Sequence, residues 1–246
     1  MEAINQIEEK IREGMKHSCN DSFLFVEDES MEIASEYLLT VNVAKRLASL
    51  NQYIGHPYKI YLERKTRLIA SDCAPLVGRA VANNFLGYVR IIRDRLNTSR
   101  NGRADITLYG DTGGLDPRPI CVIELKGFNP SNTNIAKDLT RNSEYFQLAS
   151  RTGSSRIEYA CFAAMHSFPK SITDEQIHAD LSALKKRYLD LQSKISLAGS
   201  VSYRVDVFTI SRGLTHSPPD TQNNGAVELE CNHHFAGAII SYFKKE

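Results

Sequence analysis

No stretch of the 246 residues comes near the roughly 18 uninterrupted apolar residues that a membrane span needs. The first segment, Met1 to Lys16, is charged and amphipathic and lacks the apolar centre of a secretory signal, so a cytosolic protein is expected. The five cysteines, Cys19, Cys73, Cys121, Cys161 and Cys231, are odd in number and widely spaced, and none forms a CxxC pair. That excludes a disulfide framework and a structural zinc site. No GxGxxG or GxxxxGK[ST] run is present, so the usual phosphate-cradling loops are absent. Low-complexity tracts and internal repeats are missing as well. No sign of charge predominates: 30 Lys and Arg stand against 29 Asp and Glu. This excludes a histone-like polycation but leaves room for a local basic groove.

What is present reads as one α/β domain over 1–246, its core at about 30–165, with helical additions. Ile4, Ile7 and Ile11 predict an amphipathic helix over 3–16. A longer helix is expected from Ser30 to Asn51, with Ile33, Tyr37, Val41, Ala44 and Ala48 as its apolar stripe and Leu47 at the edge. Strands are expected at 58–64, 103–109, 120–126 and 157–165. Pro75 suits the first turn of a helix running to about Asn97. Ser131 or Asn132 caps a helix to about Ser150, with Ile135, Leu139, Phe146 and Ala149 on one face. Thr173 and Gln176 form a capping box for a helix to about Ala198. On it Ile177, Leu181, Leu184, Tyr188, Leu191 and Ile195 fit either a coiled-coil seam for a second copy or partner subunit, or a face packed on the protein's own sheet. Arg204 to Ile210 reads as a strand, and Val227 to Lys245 as a strand followed by a short helix.

The chemistry concentrates in two strands joined by a loop rich in Gly, Asp and Pro (110–119), the pattern of an antiparallel hairpin. If Tyr109 faces Ile120, Asp105 falls opposite Glu124, with Cβ atoms about 4.5–5.5 Å apart. Lys126 shares their face. Adjacent carboxylates repel unless a cation lies between them. A hard divalent ion such as Mg²⁺ suits oxygen ligands of this kind, and the Leu125 carbonyl can add a third. Lys126 then lies beside a metal-bound water. The apolar run Cys121, Val122, Ile123 and Leu125 marks a buried strand, where unpaired charges are costly.

This constellation resembles the PD-(D/E)XK nuclease superfamily, the restriction-endonuclease-like fold. Arg103-Ala104-Asp105-Ile106 is similar to the family's Pro-Asp strand, with Ala104 in the place of proline. Glu124-Leu125-Lys126 is similar to its Glu-x-Lys, and Lys137-Asp138-Leu139 opens the next helix as in several of its groups. The resemblance implies an αβββαβ core with a mixed central sheet flanked by helices, interrupted by a helical insertion after the 58–64 strand. It implies a Mg²⁺-dependent nuclease, with Mn²⁺ as a substitute, that cuts DNA ahead of RNA in a role compatible with restriction or phage defence. Asp105 and Glu124 hold the ion and Lys126 positions or activates the water. Glu36 corresponds to the family's helical Glu; Glu32 faces further out, and Glu63 is the competing auxiliary carboxylate. The alternative is a non-catalytic module of the same fold that binds nucleic acid or a partner protein.

Arg90, Arg93, Arg95, Arg100 and Arg103 lead straight into the Asp105 strand, with no lysine among them. They are either a phosphate-contact series or a solvated helix face. Cys231, His233 and His234 lack the second half of a metal site. His166 and Ser167 lack a nucleophile elbow.

Overall fold

The computed structural model describes residues 2–25, 35–51, 57–80, 89–93, 95–96, 98, 101–110, 116, 118–168, 173–216 and 230–245. Its helices are α1 (Glu2–Phe25), α2 (Ser35–Ala48), α3 (Thr66–Cys73), α4 (Asn132–Gln147) and α5 (Asp174–Gln192). Its strands are β1 (Tyr58–Lys65), β2 (Val77–Ala80), β3 (Val89–Ile92), β4 (Arg103–Gly110) and β5 (Arg118–Phe128), followed by β6 (Ala149–Ser150), β7 (Gly153–Ser154), β8 (Tyr159–Phe168), β9 (Val201–His216) and β10 (Glu230–Lys244). No helix among the described residues is long and apolar enough to cross a membrane.

Six strands form one sheet in the order β1-β4-β5-β8-β10-β9. Only β5 and β8 run parallel; the other neighbours are antiparallel. A parallel pair needs a crossover, and α4 supplies it. The fold is therefore mixed α/β, a mostly antiparallel sheet with helices on it. β2–β3 and β6–β7 are separate two-stranded ribbons.

Apolar spacing decides which helix covers which face. Ile7, Ile11, Met15 and Cys19 on α1, with Leu39, Val43 and Leu47 on α2, recur every fourth residue and are fully buried. They pack with Ile106, Leu108, Ile123 and Leu125 of the sheet. On the other side, Ile135, Leu139 and Phe146 of α4 and Leu184, Tyr188 and Leu191 of α5 cover Val122, Phe162, Ile240 and Tyr242. Between these cores β8 is buried from Tyr159 to His166, which explains why its sequence does not alternate. The caps form as expected. The Ser131 hydroxyl accepts from the Asn134 N–H at 3.3 Å, and Thr173 and Gln176 make a reciprocal capping box.

Four sequence expectations are corrected. The helix expected from Pro75 to Asn97 is replaced by α3, which ends at Cys73, and by the β2–β3 ribbon. Pro75 follows a helix instead of opening one. It pushes Ala74 to extended backbone, φ −72 and ψ 136. The stripe on α2 is Leu39, Val43 and Leu47, while Tyr37 is 72% exposed; Ile33 lies outside the described residues. The short C-terminal helix does not form, because Phe235 to Phe243 pair with both β8 and β9 as a central strand. Finally, α5 ends at Gln192, and its seam is used within the molecule. Ile177, Leu184, Tyr188 and Leu191 are buried, and Leu181 and Ile195 pack on the same core. The loop at 217–225 lies outside the described residues.

The two helices of the first core meet at Gly14. A Cβ there would lie 2.5 Å from the Val43 Cα, a backbone atom that cannot step aside. Gly14→Ala is expected to cost about 1–3 kcal/mol through overpacking. For a chain of this length that is a Tm loss of roughly 3–10 °C. Gly199→Ala, where nothing lies within 4 Å, serves as the control and should melt like the wild type.

Candidate active site

The β4–β5 register brings the predicted pair together. Leu108 pairs with Cys121, Thr107 with Val122 and Ile106 with Ile123; the ladder ends there, one residue short of Asp105 and Glu124, which both line the cleft at that end of the strands. Nearer the turn the expected register fails. Tyr109 pairs with Pro119 instead of Ile120, because a bulge follows Leu108. Pro119 has no N–H for the ladder, and proline inside a sheet belongs at bulges and edges. The irregularity is absorbed before the strands reach the carboxylates.

Glu36, Arg103, Asp105, Glu124 and Lys126 line one cleft of about 310 Å³ with Asn134, Lys137, Asp138 and Arg141 of α4. The cleft lies where β4 begins and β5 ends. Asp105 Oδ2 accepts from the Leu125 main-chain N–H at 2.6 Å. This is the group of Leu125 seen to engage Asp105, while its side chain is buried in the first core. Glu124 is 1% exposed. Its Oε1 accepts from Arg141 Nη1 at 2.8 Å. Lys126 Nζ donates to Glu36 Oε1 at 2.7 Å and lies 3.7 Å from Asp138 Oδ2. Glu36 thus reaches the site from the first turn of α2.

Glu63, the competitor, does not line this cleft. It sits at φ 51, a left-handed conformation rare for a non-glycine residue, between the paired Leu62 and Arg64. Its charge still bears on Asp105. Glu32 lies outside the described residues.

Burial raises both central carboxyls. Asp105 is pushed up to about 6, mainly by burial; the Leu125 N–H and Lys126 oppose this, and Glu36 and Glu63 add to it. Glu124 is pushed up to about 8 by burial and then by Asp105, with Arg141 pulling the other way. Burial works to lower Lys126, but the Glu36 bond and the charges of Asp138 and Asp105 outweigh it and raise it. Lys126 is therefore an ammonium at neutral pH.

The arginine series does not form one face. Arg93 is turned inward, bonded to Asp72 at 2.9 Å and also to Asp116. It extends a network in which Arg64 and the Tyr109 hydroxyl bind Asp72, and Arg156 binds Asp116. Arg93 thus ties the loop after β3 to the body of the protein, and this removes it from the phosphate-contact set. Arg90 lies on β3 and not on a helix; its side chain, like the whole of Arg100, lies outside the described residues. Arg95 is exposed. Arg103 lines the cleft. His234 stacks on Phe168 and bonds to Thr209, and His166 bonds to Tyr188; neither is among the residues that line the cleft.

Sequence reasoning missed Arg141 and gave Asp138 no role. The signal was there: Asn134, Lys137, Asp138 and Arg141 recur at three- and four-residue spacing on the helix that follows Glu-x-Lys. Compared with models of known protein families, with curated proteins and with solved structures, the chain finds no match.

The raised carboxyls carry a pH dependence with a definite sign. Between about pH 4 and pH 8 the folded chain holds protons that the unfolded chain has released, so stability falls as pH rises through that window. In EDTA, the thermal midpoint should fall from pH 5 to pH 8. Glu124→Gln should flatten the part of that fall above pH 6. Parallel pH profiles for the variant and the wild type would remove Glu124 as its source.

Proposed function

We propose that this chain is a metal-dependent nuclease of the restriction-endonuclease-like kind, hydrolysing phosphodiester bonds in DNA ahead of RNA. The observation that carries the reading is the convergence of Asp105, Glu124 and Lys126 at the adjoining ends of β4 and β5, with Glu36 arriving from α2. The order of elements also supports it: α2, then the antiparallel β1, β4 and β5, then α4 and the parallel β8. That is the αβββαβ order of the family, with α3 and the β2–β3 ribbon as the insertion.

The donor set suits a hard divalent ion that keeps several of its waters. Among the described residues no three His, Cys, Asp or Glu side chains converge as a complete cation cage. Two neighbouring carboxylates do stand together, Glu124 buried and Asp105 half-buried, both raised by burial and Glu124 also by its neighbour. Mg²⁺ asks for one or two carboxylates plus water and phosphate oxygens, whereas a closed structural zinc site asks for four protein ligands. Asp105 and Glu124 would hold the ion, with the Leu125 carbonyl as the third oxygen, and Mn²⁺ would substitute. When bound, such an ion lowers the pKa of a water and draws charge from the phosphate.

The remaining steps belong to the side chains. Arg141 holds the Glu124 carboxylate in one orientation through its Nη1 contact. Lys126 keeps its proton and so acts as a donor to the phosphate oxygens, where charge grows as water attacks phosphorus. Glu36 and Asp138 hold the ammonium in place. This refines the sequence reading: Lys126 orients and stabilises, and does not take a proton.

Incubating the purified chain with plasmid and single-stranded DNA in Mg²⁺, Mn²⁺ or EDTA tests the proposal. Cleavage should require the divalent ion. Asp105→Ala, Glu124→Ala and Lys126→Ala should each lose about 10²–10³-fold or more, and doubles should be little worse than singles, since the groups act as a unit. Mg²⁺ should also raise the wild-type Tm and leave that of Glu124→Ala unchanged. Wild-type cleavage by Lys126→Ala would overturn the mechanism. The second reading, a non-catalytic binding module, is favoured by the pairing of Glu124 with Arg141 and of Lys126 with Glu36. Binding without cleavage in any divalent ion would select it.

A further inference from the structure

Lys65 and Arg103 stand directly opposite each other across the β1–β4 ladder. Like charges so placed weaken a strand pair. Three nearby arginines are neutralised: Arg64 by Asp72, Arg93 by Asp72 and Asp116, Arg141 by Glu124. Among the described residues, no carboxylate pairs with Lys65, Arg103 or the nearby Arg67 of α3. All three are exposed.

Lys65, Arg67 and Arg103 line a groove of about 430 Å³ with Thr66, Asn101 and Gly102. The Thr66 N–H and hydroxyl both donate to the Gly102 carbonyl, at 3.0 and 3.3 Å, which fixes the start of α3 to the floor of the groove. The groove adjoins the catalytic cleft. Arg103 lines both, and a Cβ on Gly102 would lie 3.8 Å from Arg141 Nη2. Arg103 and Asp105 are two strand residues apart, about 6.8 Å. Among the described residues, no carboxylate lines the groove to repel an anion, and no aromatic ring offers a base a stacking surface.

We propose that the Lys65–Arg67–Arg103 groove binds the phosphodiester backbone on one flank of the bond cut in the adjoining cleft. The proposal rests on the nuclease reading of that cleft and extends it to the path of the substrate. Three cations with no stacking surface recognise phosphate and not base identity, so the grip is independent of sequence. It also explains the opposed cations: a bound phosphate supplies the negative charge that the ladder lacks.

The test is fluorescence anisotropy with 5′-labelled single-stranded and duplex oligonucleotides in EDTA, over 50–200 mM salt, using the full chain. Lys65→Glu creates an ion pair with Arg103, so its thermal midpoint should rise by about 1–3 °C. Its affinity should nevertheless fall, and its log–log salt slope should drop by about 0.9 on duplex or about 0.7 on single strands for each phosphate no longer neutralised. Arg67→Ala should lower the slope alike, and Lys186→Ala on the exposed side of α5 should not. Gain of stability with loss of binding is a combination that a merely structural lysine does not give. Slopes for Lys65→Glu and Arg67→Ala equal to that of Lys186→Ala, in a wild type that cleaves DNA, overturn the groove alone. A lowered slope in a protein that binds but never cleaves supports the groove and overturns the nuclease reading. A wild type that binds neither oligonucleotide overturns both.

Discussion

Two carboxylates cannot be withdrawn from water side by side unless positive charge comes with them. β4 and β5 impose that condition by bringing Asp105 and Glu124 into one cleft, and much of the surrounding architecture answers it. Arg141 projects from α4 to Glu124, the Leu125 N–H turns to Asp105, and Lys126 adds its charge from two residues further on. Lys126 in turn needs Glu36 and Asp138, which commits both α2 and α4 to the same end of the sheet. The crossover helix is thus more than a connector between parallel strands. It delivers three of the eight charged groups that line the cleft among the described residues.

The hairpin was legible because alternation and turn chemistry act over a few residues. Asp105, Glu124 and Lys126 could be placed together by counting along two strands. The capping residues Ser131 and Thr173 were legible for the same reason. What failed depended on distant partners. Tyr37 fits a buried stripe by spacing, but which face of α2 is covered is decided by α1 and by the close approach of Gly14 to Val43. The C-terminal run of Phe235 to Phe243 has no strand alternation, because neighbours on both edges and cores on both faces bury nearly all of it. The segment after Pro75 is ambiguous in sequence because proline suits either side of a helix end. Arg93 resembles a surface cation until Asp72 and Asp116, distant in sequence, are brought against it.

Arginine serves two separate purposes here. Around Tyr109, the chain Arg64–Asp72–Arg93–Asp116–Arg156 joins β1, α3, the loop after β3, the β4–β5 connection and the approach to β8. These cations are matched by carboxylates and stitch irregular segments to the sheet. A few residues away, Lys65, Arg67 and Arg103 have no such partners among the described residues. Composition cannot separate the two groups, since both contribute equally to a net charge of +1. Only the pairing distinguishes cations that hold the fold from cations that face outward.

The place of β8 also shapes how the chain must be made. Its one edge is paired with β5, which precedes it, and its other edge with β10, the last of the six in chain order. During synthesis every element that builds the cleft leaves the ribosome before the partner that closes β8. Until Glu230–Lys244 emerge, a long apolar strand presents an open edge of unpaired N–H and C=O groups, the kind of surface on which chains join one another. The cleft is therefore complete in sequence well before the nascent protein is safe from aggregation, and β10 acts as the closing seal of the sheet.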